Sequence, residues 1–142
     1  MSRIYVASSW RNTRQIEVVE ALRAVGHEVY DFRNQARVFN WSDIYPNCES
    51  WFGAQYVEAL RHPAAIQGLA SDFEAMHWAD TFVMVQPCGR SSSLELGWAI
   101  GAGKRTFVLL ANKQKPELML GLAQHLCLTL DELVVTLTGG TQ

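Results

Sequence analysis

A strand, a helix, a glycine and a second strand fit into the first 32 residues, and this succession constrains the fold more than any other feature. Arg3-Ile4-Tyr5-Val6-Ala7-Ser8 is a short apolar, β-branched run that ends in small polar residues, the pattern of a buried strand. From Arg11 to Val25 the period changes: Ile16, Val19, Leu22 and Val25 recur every three residues, with Glu17, Glu20 and Arg23 on the other face. That spacing predicts an amphipathic helix. Gly26 stands where a helix end wants positive φ, and His27 to Phe32 resumes as a strand. A strand–helix–strand unit this compact implies parallel pairing through a right-handed crossover.

The alternation continues. Residues 33–50, with Pro46 and several Asn and Asp, read as a long loop of the kind that often carries function. Helices are expected near Glu49 to Arg61 and Pro63 to Ala79, a third strand at Asp80 to Gln86, and a turn at Pro87-Cys88-Gly89-Arg90. A helix from Ser92 to Gly103, a strand from Lys104 to Ala111 and a helix around Pro116 to Gln124 follow. A short strand at His125 to Leu128 and a helix at Leu130 to Leu137 complete the chain. The pattern predicts an α/β fold: a Rossmann-like or flavodoxin-like doubly wound sheet of about five parallel strands, with helices on both faces. At 142 residues it is expected to be a single domain. Ligands of such sheets bind beyond the carboxyl ends of the strands, which directs attention to Ala7–Asn12, Asp31–Asn34 and Gln86–Glu95.

Composition narrows the classes. Charged residues make up 18% and hydrophobic ones 49%, with a net charge of −2. This excludes a disordered tail, a coiled coil and a basic surface for a nucleic-acid polymer. The longest charge-free run, Leu118 to Leu130, is too short to span a membrane, and no signal-peptide pattern opens the chain. Cys48, Cys88 and Cys127 are odd in number and far apart, so no disulfide framework is expected and the chain reads as cytoplasmic.

Two carboxylates stand out. Glu95 lies in Ser91-Ser92-Ser93-Leu94-Glu95-Leu96-Gly97, in the expected first turn of a helix after the third strand. Ser92-x-x-Glu95 fits a capping box, and Thr129-x-x-Glu132 fits the same motif with no other claim on chemistry. Gly97 and Gly101, with Ala99, Ala102 and Gly103, make that helix slim enough for a ligand, helix or second subunit to approach. Asp72 lies on the flank of an expected apolar face of Ile66, Leu69, Phe73 and Met76, where a carboxylate is paired, solvated or functional. The loop Ala7-Ser8-Ser9-Trp10-Arg11-Asn12 leads into a helix N-terminus and suits phosphate or sugar oxygens, or holds ordinary N-caps at Ser9 or Asn12. No metal and no cofactor is expected. His27, His62, His77 and His125 lack ligand spacing, and His125-x-Cys127 is the closest pair. Cys88 is a conceivable nucleophile in its turn, but the sequence supplies no base for it.

Together these segments resemble the nucleoside 2-deoxyribosyltransferase family and its nucleotide N-glycosidase relatives. The likeness is carried by Ile4–Trp10, by Asp72 with Met76 and Ala79-Asp80, and above all by Leu94-Glu95-Leu96-Gly97-Trp98-Ala99-Ile100-Gly101-Ala102-Gly103-Lys104. The resemblance implies that Glu95 is a nucleophile toward C1′ of a (deoxy)ribose and that Asp72 handles a proton or orients the sugar. It implies a small-molecule nucleoside or nucleotide as partner, with Tyr5, Ser8, Ser9, Trp10, Arg11, Asn34, Gly89, Arg90 and Ser91 around it. Six residues before the nucleophile the transferases carry an acidic base-binding residue; Gly89 stands there here. Gly89-Arg90-Ser91 and Arg11 instead fit the phosphate-preferring branch. The low charge and five Trp suggest apolar surface buried between subunits, as in the family's homo-oligomers. Two other readings stay open: a non-catalytic nucleotide-binding module on the same fold, and an NAD glycohydrolase.

Overall fold

A computed structural model of the chain describes residues 1–34, 38–46 and 50–139. The backbone gathers into two compact units, Met1–Asp31 with Met76–Gln142, and Phe32–Ala75.

The first unit holds a five-stranded parallel sheet: β1 (Arg3–Ala7), β2 (Glu28–Tyr30), β3 (Thr81–Val85), β4 (Arg105–Leu109) and β5 (His125–Cys127). Their order is β2-β1-β3-β4-β5, so the winding reverses between β1 and β3. This is the expected flavodoxin-like α/β arrangement. Each strand is one to three residues shorter than the run expected for it. Alternation divides the side chains between two layers. Ile4, Val6, Val83, Val85, Phe107 and Leu109 form one core with Val18, Val19 and Leu22 of α1 (Gln15–Ala24) and Leu133 and Leu137 of α5 (Leu130–Thr138). On the opposite face Tyr5 stacks on Tyr30 at 5.2 Å and on Phe82 at 4.9 Å. There Phe82 meets Trp98 of α4 (Arg90–Gly101). Helices therefore cover both faces.

Two helical expectations are corrected. In α1 the buried positions are Gln15, Val18, Val19 and Leu22, while Ile16 and Val25 are about half exposed. A strict three-residue repeat drifts around a helix of 3.6 residues per turn, so its two ends cannot share one buried face. Gly26 does take positive φ, at 94°. The expected helix around Pro116 to Gln124 is instead a short 3-10 stretch, Leu118–Leu122, its first turn held by the Glu117 carboxylate, which accepts from Met119 N–H.

The second unit contains α2 (Gly53–Leu60) and most of α3 (Pro63–Trp78). Its loop is less irregular than expected: 3-10 turns occupy Phe32–Asn34 and Trp41–Asp43. Trp41, Trp51, Tyr45, Tyr56 and Phe39 pack largely edge to face, with centroids 4.8–6.2 Å apart. Rings bury large areas per residue and thus give a small unit a core. Gly68 matters to that packing, because a Cβ there would come within 3.0 Å of Phe39. The helix expected from Glu49 begins only at Gly53, where Gln55 accepts the Phe52 N–H; Glu49 itself lies outside the described residues, as does Cys48. On α3 the expected buried face is also corrected. Ile66, Leu69 and Phe73 are 56%, 68% and 39% exposed, whereas the small residues Ala65 and Ala75 are buried with Met76. Among the described residues no helix is long and apolar enough to cross a membrane.

Candidate functional site

The winding reverses between β1 and β3, the place where sheets of this kind take their ligands, and two loops leave the carboxyl ends of these strands. The first follows β1. Ser8 Oγ donates to the Val85 carbonyl at 3.3 Å. Asn12, buried at 4% exposure, donates from Nδ2 to the carbonyls of Val85 at 3.0 Å and Pro87 at 3.1 Å, while its Oδ1 accepts Arg14 N–H. This last bond is an Asx turn, a local alternative to helix, and it explains why α1 begins at Gln15 rather than at Arg11. Ser9 Oγ accepts Arg11 N–H, leaving Trp10 and Arg11 exposed at the loop tip. Arg14 Nη1 reaches across to the carbonyls of Gln86 and Leu110.

The second loop leaves β3 through Gln86, Pro87 and Cys88. Gly89, extended and without a side-chain cap, precedes α4, whose first residue is Arg90. The helix therefore starts two residues earlier than expected. Ser92 is not the N-cap but the third helical residue, 2% exposed, and Glu95 moves from the first turn into the second. The expected control behaves differently: Thr129 is the N-cap of α5, its hydroxyl accepts Glu132 N–H, and the Glu132 carboxylate accepts Leu128 N–H. Glu95 is half-buried, directly before the buried Leu96 that packs α4 down.

Cys88, Ser92 and Glu95 come together here. Burial pushes the half-buried Cys88 thiol up, the Glu95 charge pushes it further, and a hydrogen bond with Ser92 opposes both. At neutral pH the thiol stays protonated beside the carboxylate, which disfavours it as a nucleophile.

The other expected site residues are distributed as follows. Arg90 and Ser91 are exposed on the first turn of α4 and Gly89 is its N-cap. Tyr5, expected around the ligand, is the middle residue of β1, 1% exposed between two rings. Asp72 is half-buried on α3, within the second unit. Asn34 ends a 3-10 turn; its side chain lies outside the described residues. Gly97 and Gly101 meet no atom of the described residues within 4 Å where a Cβ would stand, whereas Ala99 of the same helix is fully buried. One buried polar residue escaped sequence reasoning, and its partner was singled out only as part of the segment Asp31–Asn34. Gln15, fully buried, donates from Nε2 to Asp31 at 2.8 Å, at the end of β2. Asp31 had a signal, its place after a strand; Gln15 had none. Among the described residues no group of three or more His, Cys, Asp and Glu could hold a metal ion.

No protein-family model matches the sequence, and no curated protein matches it. Solved structures do. A 2-deoxyribosyltransferase from Bacillus psychrosaccharolyticus is similar at a TM-score of 0.61 and 19% identity, over 93% of this chain and 90% of that one. A CMP N-glycosidase from Clostridium botulinum is similar at 0.58 and 19% identity, over 96% and 98% of the two chains. A conserved protein from Enterococcus faecalis reaches 0.66 at 12% identity, over 98% of each. The chain shares their fold. At these identities the likeness speaks for architecture, and the chemistry rests on the residues.

Proposed function

We propose that this chain belongs with the nucleoside 2-deoxyribosyltransferases and nucleotide N-glycosidases, and that it breaks or exchanges the N-glycosidic bond of a (deoxy)nucleoside or nucleoside 5′-monophosphate. The observation that carries this reading is Glu95: a half-buried carboxylate in the second turn of the helix after β3, beside the switch point, in a position no cap requires. The full-length likeness to a 2-deoxyribosyltransferase and a CMP N-glycosidase supports it.

In this reading a Glu95 oxygen bonds to C1′ as the C1′–N bond breaks, and its electron pair leaves with the base. Asp72 protonates the departing nitrogen or orients the sugar. Water, or a second base, then attacks C1′ and frees the carboxylate. Exposed Arg11 and Arg90 and the first backbone N–H groups of α4 suit a 5′-phosphate; Ser8, Ser9, Trp10 and Gly89 lie on the same two loops, and Ser91 on the first turn of α4. Tyr5 supports the floor from within the sheet. The reaction is assigned to the cytoplasm, where a thiol such as Cys88 stays reduced. A homo-oligomer is part of the same proposal, supported by Leu94 at 75% exposure beside the open Gly97 and Gly101 on α4. Sedimentation as a monomer would remove that part.

The test is direct. Incubate the protein with deoxynucleosides, nucleoside 5′-monophosphates and NAD, with and without a second base, and separate the free bases by chromatography. Free base from nucleosides or nucleotides is the expected result. Nicotinamide released from NAD alone would select a glycohydrolase of that cofactor. Binding without release of any base would leave a nucleotide-binding module.

A further inference from the structure

We propose that Asn12 is a positioning residue of the Glu95 site, clamping the Ser8–Arg11 loop to the segment that delivers α4. The proposal rests on the functional reading above for its kinetic half alone. Both Nδ2 hydrogens are committed, one to the Val85 carbonyl and one to that of Pro87, and Oδ1 is committed to Arg14 N–H. An amide that is 4% exposed thus has a partner for each donor and for its acceptor. Val85 is the last residue of β3 and Pro87 immediately precedes Cys88, so one side chain joins the two loops that leave β1 and β3. Ser8 Oγ adds a longer bond to the same Val85 carbonyl, and Arg14 spans to Gln86 and Leu110. Within the loop, Asn12 N–H donates to Ser9 O, so the clamp also shapes the turn that presents Trp10 and Arg11.

No other common side chain of this size offers two donors and an acceptor from one planar group. Aspartate keeps the shape and the bond from Arg14 N–H, but sets a carboxylate against two carbonyl oxygens. Serine retains a single donor on a shorter arm. Either change frees the loop to shift relative to Glu95, and a displacement of about 1 Å between reacting groups costs on the order of a hundredfold in rate.

The experiment compares the full chain with Asn12→Asp and Asn12→Ser in two measurements. One is kcat and KM on the best-cleaved nucleoside or nucleotide of the panel. The other is the rate of tryptic cleavage after Arg11 relative to cleavage after Arg61 and Lys113. The expected result is a kcat lowered about tenfold to a hundredfold, a smaller loss in the serine variant, and cleavage accelerated selectively at Arg11. Wild-type kcat together with an unchanged cleavage pattern would overturn the clamp. So would cleavage accelerated equally at all three sites, or failure of both variants to fold, since either marks Asn12 as a residue of global stability. If the wild-type chain releases no base from any compound, the functional reading fails, and selective cleavage at Arg11 still decides the clamp.

Discussion

Two helices of this chain carry the same spelling near their starts, a hydroxyl residue followed three places later by glutamate, and the two glutamates do different things. At α5, Thr129 is extended, its hydroxyl accepts Glu132 N–H, and the Glu132 carboxylate turns back to Leu128 N–H. At α4 the chain is already helical from Arg90, because extended Gly89 takes the cap position. Ser92 is then buried inside the first turn, and Glu95 stands half-buried in the second, its charge raising the Cys88 thiol. A capping motif works only where the backbone bends at its first residue. Where the bend comes earlier, the glutamate no longer caps the helix.

The largest expected effect separates the two glutamates by activity. Glu95→Gln is expected to lower base release by at least about a thousandfold, as loss of a nucleophile does, with a melting temperature within a few degrees of wild type. Glu132→Gln is expected to leave base release intact. Substantial turnover in the Glu95 variant would erase the distinction.

A second, severalfold effect concerns the thiol. Removing the Glu95 charge takes away one of the two influences that raise Cys88, so iodoacetamide should alkylate Cys88 faster in Glu95→Gln than in wild type near pH 8. Mass spectrometry of the peptide reads this out. Equal rates would place the carboxylate too far from the sulfur to matter.

Stability gives a smaller contrast. Thr129→Ala is expected to cost about 1 kcal/mol, the usual value of a lost N-cap. Ser92→Ala should cost less in the same urea titration, and an equal loss would restore the capping role to Ser92. These titrations belong above pH 6.5, because of His27. Burial, reinforced by the N-terminus and Arg105, holds its pKa below the ordinary 6.5, while Asp80 opposes them; its Nδ1 accepts Ser2 N–H. Above 6.5 both folded and unfolded chains keep the ring neutral and the contribution to stability is complete. As pH falls through the folded-state value, the unfolded chain has taken a proton that the folded one refuses, and stability drops. His27→Gln should flatten that slope; an unchanged slope would assign it to other groups.

Much of the architecture was legible in local pattern. The uninterrupted apolar runs at β1, β3 and β4 mark strands buried on both faces, and Gly26 closes α1 where a left-handed residue is needed. These signals need no knowledge of distant residues, so the alternation and the doubly wound sheet could be read from the sequence by itself. Tertiary structure decided the rest. Asn12, whose Asx turn delays α1, is held in place by carbonyls 73 and 75 residues away. Ala65, Ala75 and Met76, rather than Ile66, Leu69 and Phe73, are the covered side chains of α3. The cap of α4 falls at Gly89, which takes Glu95 out of the motif it spells. Periodicity reports which faces a segment is able to bury, but a buried polar group must find partners, and those exist only once β1 and β3 lie side by side.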